Sequence, residues 1–199
     1  MANELPTIYL ARHGETEWSL SGRHTGRTDI PLTPRGEANA RQLGRRLEGL
    51  QFARVLTSPL SRAQKTCELS GLGAEAEIDA DLVEWNYGDY EGRRTDQIRQ
   101  ERPGWMLFRD GCPNGESFDA LTTRADGVIA RLRAIDANVL LFSHGHFLRM
   151  LAARWIGLDV REARLLLLST AALSALSYEH TRQEPAIRFW NDTRHVAGS

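Results

Sequence analysis

Two segments of the chain end an apolar run on a histidine and a glycine: Tyr9-Leu10-Ala11-Arg12-His13-Gly14 and Leu140-Leu141-Phe142-Ser143-His144-Gly145. A strand that ends in Arg-His-Gly delivers a guanidinium and an imidazole to one point, and the glycine lets the backbone turn close to whatever is bound there. Such a pair suits an anionic ligand, with Arg12 as a fixed cation and His13 as nucleophile, base or second donor. A third segment, Ser58-Pro59-Leu60-Ser61-Arg62-Ala63, opens a helix with Arg62 in its first turn, where a cation is mildly unfavourable. An anion held at that helix N-terminus would account for the arginine. Glu84 follows the apolar pair Leu82-Val83 and stands beside Trp85 and near Tyr87, which predicts a desolvated carboxyl suited to carrying a proton.

These residue types fit phosphoryl transfer better than other chemistries. Guanidinium groups match phosphate oxygens, a neutral imidazole can form a covalent intermediate, and a second imidazole, if charged, would stabilise the equatorial oxygens. The leaving alkoxide needs a proton, and Glu84 is the best placed acid. His144-x-His146 could also be read as a metal pair, but no matching carboxylate or cysteine cluster accompanies it. The chain carries no G-x-S-x-G elbow, no G-x-x-x-x-G-K-[ST] and no G-x-G-x-x-G. A phosphate-binding module without catalysis would need the arginines and would not need Glu84.

The elements that must position these residues follow from the pattern. Thr7 to Leu10 reads as the first strand, and the glycine-rich, basic stretch from Glu17 to Pro31, with Arg23, His24 and Arg27, as a loop. Thr33 caps a helix that begins at Pro34 and carries Ala40, Leu43, Leu47 and Leu50 on one face. Arg54 to Thr57 is a second strand, Arg93 to Glu101 a short polar helix, and Pro103 to Gly115 an irregular stretch; residues 87–115 together predict a cover over the site. A long helix runs from Glu116, with Phe118, Leu121, Ala125, Val128 and Leu132 on one face. Val139 to Phe142 is a buried strand, followed by a helix from Phe147 through Ile156. Strands at Leu173 to Tyr178 and Ala186 to Trp190 close the chain. This alternation predicts an α/β fold, a three-layer αβα sandwich on a mostly parallel sheet, within one domain spanning residues 1–199. Arg12, His13, Arg62 and His144 then gather at the carboxyl edge of the sheet, where such folds bind ligands.

Composition narrows the partners. With a net charge of −1, nothing global points to nucleic acid or a membrane surface, so any anion site must be a local cluster of Arg and His. Cys67 and Cys112 show no framework spacing, no apolar stretch is long enough for a bilayer, and Met1 to Pro6 carry neither a basic n-region nor an apolar h-region, so no leader is expected. A cytoplasmic location is expected. His180 and His195 read as ordinary loop residues.

The set Leu10-Ala11-Arg12-His13-Gly14-Glu15-Thr16, Ser58 to Arg62, Glu84 and Ser143-His144-Gly145 resembles the histidine phosphatase superfamily, also called phosphoglycerate mutase-like, in order and spacing over almost the whole chain. The resemblance implies that His13 becomes phosphohistidine, that Arg12, Arg62 and His144 form the phosphate pocket, and that Glu84 protonates the leaving group and then activates water. It implies neither metal nor organic cofactor. Matching loop positions imply substrate contacts from Thr25, Gly26, Tyr87 and His146, with Arg23, His24 and Arg149 as candidates for a distal phosphate or the sugar. Ser19 stands where many members carry a pocket Asn. Thr16 to Ser19, Glu84 to Gly92, Arg109 to Cys112 and Leu173 to His180 resemble the fungal sedoheptulose-1,7-bisphosphatase branch. The implied function is a phosphomonoester hydrolase for small metabolites, sugar (bis)phosphates first. True mutases carry a longer segment between the acid and the second His-Gly, which favours hydrolysis here. A cofactor-dependent phosphoglycerate mutase and a catalytically weak phospholigand-binding module stand as alternatives. The expected partner is a small phosphate ester, not nucleic acid or membrane, and a homodimer is left open.

Overall fold

The computed structural model describes residues 5–196. Six strands form one sheet in the order β3-β2-β4-β1-β5-β6, with β1 Ile8–Arg12, β2 Arg54–Thr57, β3 Ala76–Ile78, β4 Val139–Ser143, β5 Leu173–Tyr178 and β6 Pro185–Asp192. β1, β2, β3 and β4 run parallel; β5 pairs antiparallel with both β1 and β6. The helices are α1 Glu17–Ser21, α2 Pro34–Leu47, α3 Ser61–Leu69, α4 Thr95–Glu101, α5 Leu107–Asp110, α6 Phe118–Arg133 and α7 Gly145–Trp155.

The strand residues alternate between two cores, because successive side chains point to opposite faces of a sheet. Ile8, Leu10, Leu56, Val139 and Leu141 pack with Leu121, Val128 and Leu132 of α6 and with Phe147 and Leu151 of α7. Ala11, Val55, Leu140 and Phe142 pack on the other face with Leu43 and Leu47 of α2 and Cys67 of α3. This is the three-layer αβα sandwich expected, built on a mostly parallel sheet. None of the described helices is long and apolar enough to cross a membrane.

Several local expectations are corrected. The stretch from Glu17 to Pro31 is not all loop: α1 forms one turn, nucleated by a capping box in which Thr16 and Ser19 each bond the other's backbone N–H. Five residues are too few for a periodic signal. β3 was not anticipated either; it is three residues long, and Ile78 at the sheet edge is exposed, so its pattern is too short to read. Within residues 87–115 the short polar helix expected there is α4, but the stretch from Pro103 to Gly115, expected to be irregular, contains α5. It is anchored by Trp105, which is fully buried and donates its indole N–H to Gly111 O at 2.9 Å.

Candidate active site

Register alone brings the first residues of the site together. Arg12 pairs with Ser143 across β1 and β4, His13 N donates to Ser143 O at 3.0 Å, and Ser58 N donates to Phe142 O at 2.9 Å. The carboxyl ends of β1, β4 and β2 therefore lie side by side and release Arg12-His13, His144 and Ser58 onto one edge. A cavity of about 270 Å³ opens there, lined among others by Arg12, His13, Glu84, Tyr87, His146 and Arg149. Two glycines permit the close approaches. A Cβ on Gly14 would lie 2.5 Å from Gly36 O at the start of α2, and one on Gly145 would lie 3.1 Å from Cζ of Arg12.

His13 is fixed by its backbone neighbour. Its Nδ1 lies 2.7 Å from Gly14 O, an acceptor, so Nδ1 carries the proton and the lone pair is on Nε2. Burial, then Arg62 and Arg12, hold its pKa well below the usual imidazole value, so the ring is neutral at physiological pH. Arg12 donates from Nη1 to Leu168 O, while its Nε is buried and has no partner among the described residues. A buried donor without an acceptor is costly, and its place on the cavity wall is where an anionic oxygen would satisfy it.

Arg62, fully buried, does not point freely at the cavity. Nε donates to His144 Nδ1 at 3.1 Å, Nη1 to Thr28 O at 2.9 Å, and Nη2 to Gly26 O at 2.9 Å and Thr25 O at 3.3 Å. A guanidinium has five N–H donors; one on Nη1 is left for a ligand. His144 corrects the idea of a charged second imidazole. Burial and Arg62 hold its pKa well below the usual value, its Nδ1 accepts from Arg62, and Nε2–H donates to Ser58 Oγ at 2.8 Å. It is a neutral ring engaged at both nitrogens. Ser58, not singled out from sequence, thus completes the group.

Glu84 sits on the cavity wall, and what holds it is peptide rather than aromatic surface. Oε1 accepts from Trp85 N at 3.0 Å and Phe147 N at 2.8 Å, and Oε2 accepts from His146 N at 2.9 Å. The last two donors belong to the first turn of α7, whose free N–H groups and dipole favour a carboxyl there.

The remaining expected contacts divide. Ser19, Arg23, His24 and Thr25 line the cavity together with Tyr87, His146 and Arg149. Ser19 is less free than a pocket Asn would be, because its hydroxyl donates to Thr16 O and accepts from Thr16 N. Gly26 does not line the cavity; its carbonyl serves Arg62 and its N–H serves Glu91. Tyr87, whose pKa burial pushes well above the phenol value, shares a hydrogen bond between its hydroxyl and Nδ1 of His146. His146 is held neutral by burial first and Arg149 next. His24 stacks against Tyr87 with ring centroids 5.0 Å apart, and burial lowers its pKa to about 4. Arg149 lies over Phe108 with Cζ 4.8 Å from the ring and donates Nε to Ala163 O at 3.0 Å. The wall beyond His13 is therefore a set of neutral hydrogen-bonding rings with a cation at its margin. Gly22, Thr95 and Leu168 also line the cavity and had carried no sequence signal, since each arrives from a loop or short helix that only the tertiary fold brings near. Nothing in the geometry pairs His144 with His146 as metal ligands, since each faces different partners.

Comparisons with known proteins find relatives over most of the chain. The profile of the Histidine phosphatase superfamily (branch 1) matches residues 8–193. An acid phosphatase of Mycobacterium tuberculosis (strain ATCC 25618 / H37Rv) is 39% identical over 184 residues, covering 90% of this chain and 90% of that protein. A sedoheptulose 1,7-bisphosphatase of Saccharomyces cerevisiae (strain ATCC 204508 / S288c) is 37% identical over 195 residues, covering 81% of this chain and 72% of that protein. The solved structure of the open reading frame Rv3214 product of Mycobacterium tuberculosis superposes with a TM-score of 0.88 at 36% identity, over 94% of this chain and 97% of that one.

Proposed function

The chain belongs to the histidine phosphatase superfamily and is a phosphoric monoester hydrolase, and we propose that it hydrolyses small sugar phosphates and bisphosphates through a phosphohistidine on His13. The observation that carries this reading is the fixed tautomer of His13: Nδ1–H tied to Gly14 O, and a neutral ring with its lone pair on Nε2. In the first step Nε2 attacks phosphorus as the P–O bond to the sugar breaks. The electron pair leaves with the sugar oxygen, and Glu84 supplies its proton. Arg12, through the unpartnered Nε, and Arg62, through its remaining Nη1–H, carry the charge of the transferring group. In the second step Glu84, now a carboxylate, takes a proton from water, the water oxygen attacks phosphorus, and the N–P bond breaks to return His13 with free phosphate.

The wall of Tyr87, His146, His24 and Thr95 supports a polyhydroxylated substrate, because neutral donors and acceptors match hydroxyl groups. Arg149 and Arg23 on the same cavity support a second anionic group on that substrate. The test is a panel of sedoheptulose, fructose and phosphoglycerate esters assayed for free phosphate. Release from the sugar bisphosphates with the highest kcat/KM is the expected outcome. Isomerisation of 3-phosphoglycerate in the presence of the 2,3-bisphosphate, with little phosphate released, would replace the proposal by a mutase. Ester binding without turnover would replace it by a phospholigand-binding module.

A further inference from the structure

Arg62 is a fully buried cation with no carboxylate on its own guanidinium. Its acceptors are an imidazole and three carbonyls of the loop at residues 25–28, so what fixes that loop fixes the cation. The loop is held from its far side by Glu91. A single oxygen, Oε1 of Glu91, accepts from Gly26 N at 2.8 Å and Thr28 N at 3.1 Å, the pair of alternate N–H groups that forms an anion nest. The peptide group between Thr25 and Gly26 is thus gripped at both ends, by Arg62 on its C=O and by Glu91 on its N–H. An anion on the N–H polarises the C=O and strengthens it as an acceptor for the cation. Glu91 thus reaches Arg62 through one peptide group, while Glu84 and Asp29 act more strongly on the charge of the guanidinium.

The surroundings leave this arrangement little slack. Backbone bonds sew the same loop to the segment that carries Glu91: His24 N donates to Arg93 O at 2.9 Å and Gly92 N to His24 O at 2.8 Å. Asp29 secures the other end, accepting from Ser61 N at 2.9 Å and Ser61 Oγ at 2.8 Å at the start of α3, one residue before Arg62. A Cβ on Gly26 would lie 2.6 Å from Glu91 Oε2 and 2.4 Å from Trp85 O, so only glycine lets the loop close on the carboxylate. Oε2 itself is buried and has no partner among the described residues. Oε1 makes the contacts, and the second oxygen adds charge without a bond of its own.

We propose that Glu91 is a positioning residue for phosphoryl transfer: by gripping the Gly26 and Thr28 N–H groups it holds the carbonyls that aim Arg62 at the phosphate. The proposal rests on the phosphatase reading for its catalytic meaning, but not for its effect on phosphate binding. The experiment is a double-mutant cycle between Glu91→Ala and Arg62→Ala, read by kcat/KM on p-nitrophenyl phosphate and by calorimetric binding of inorganic phosphate. Glu91→Ala is expected to weaken phosphate binding and to lower kcat/KM by about tenfold or more in the native background. In the Arg62→Ala background it is expected to change either by less than about twofold, because its target is gone. Glu91→Gln, which keeps an oxygen for both N–H groups, is expected to recover most of the loss and serves as the test should the alanine variant not fold. Equal losses in both backgrounds, or no loss in Glu91→Gln and Glu91→Ala alike, would overturn the proposal. If the unmodified protein bound phosphate but turned over no ester, the phosphatase reading would fall while the binding cycle still decided the role of Glu91.

Discussion

Nε of Arg62 donates to Nδ1 of His144 at 3.1 Å, so two groups that would repel if both were charged share one hydrogen bond. The bond works only with His144 neutral and protonated at Nε2, which in turn donates to Ser58. A lysine at position 62 has no planar fork, and a single ammonium cannot serve His144 and the carbonyls of Thr25, Gly26 and Thr28 together. Arg62→Lys is expected to lower kcat by about 10²- to 10³-fold, the usual cost of losing one preorganised donor. The check is steady-state kinetics beside a thermal melt; activity within a few-fold of the parent would mean that positive charge alone suffices.

In the proposed mechanism His13 carries the covalent step, and its variant gives the sharpest yes-or-no result. His13→Ala is expected to trap no phosphoenzyme when labelled ester is quenched in acid. Label retained on the alanine protein would move the nucleophile to another residue.

Glu84 should matter in proportion to how badly the leaving group needs a proton. Glu84→Gln is expected to lose about 10²- to 10⁴-fold on sugar phosphates and much less on p-nitrophenyl phosphate, whose phenolate leaves unaided. A loss of the same size on both would mean that the glutamate acts by holding the first turn of α7, through His146 N and Phe147 N, and not as an acid.

How much of this was legible beforehand depended on how each residue reaches the site. Arg12, His13 and His144 end strands, and Arg62 begins a helix; apolar runs and helix starts are local signals, so the edge on which they meet followed from the α/β alternation. The long helix from Glu116 begins at Phe118 with Ser117 as its cap, and the last strand extends to Asp192, shifts of two residues that leave the packing face unchanged. What the sequence could not reveal was hydrogen-bond direction. Ser58, Leu168 and Glu91 act through a hydroxyl, a carbonyl and a pair of peptide N–H groups, and none of those partners is written in spacing. The same limit explains Gly26, read as a substrate contact and found instead to give its carbonyl to Arg62 and its N–H to Glu91.

Arg149 tests the second anionic group. Its guanidinium stands on Phe108 and Ala163 O at the cavity margin, away from the contacts that hold His13 and Arg62. Arg149→Met keeps the stem over Phe108 and removes the charge. KM for a sugar bisphosphate is expected to rise by about tenfold, the scale of one charge-assisted contact, with little change for a monophosphate. Equal effects on the two substrates would place the second phosphate elsewhere.

The buried histidines make stability a function of pH with a definite sign. His13, His144 and His146 are held well below the usual imidazole value and His24 is lowered to about 4, burial being the largest cause for each. In the unfolded chain all four return to a pKa near ~6.5. Above that value neither state binds the protons, so stability is flat. As pH falls below it, the unfolded chain takes up protons that the folded chain refuses, and stability drops by up to about 1.4 kcal/mol per pH unit for each histidine. The loss for His24 ends near pH 4, where its folded form also protonates. Asp110 and Asp192, whose pKa values are lowered by Arg109 and Arg194, add their own losses only once the pH reaches the ordinary carboxylate range at the bottom of this window. Urea unfolding at pH 7.5, 6.5, 5.5 and 4.5 should therefore show a plateau and then a decline, with a shallower decline in His24→Gln. Constant stability across the series would mean that the four rings protonate without unfolding.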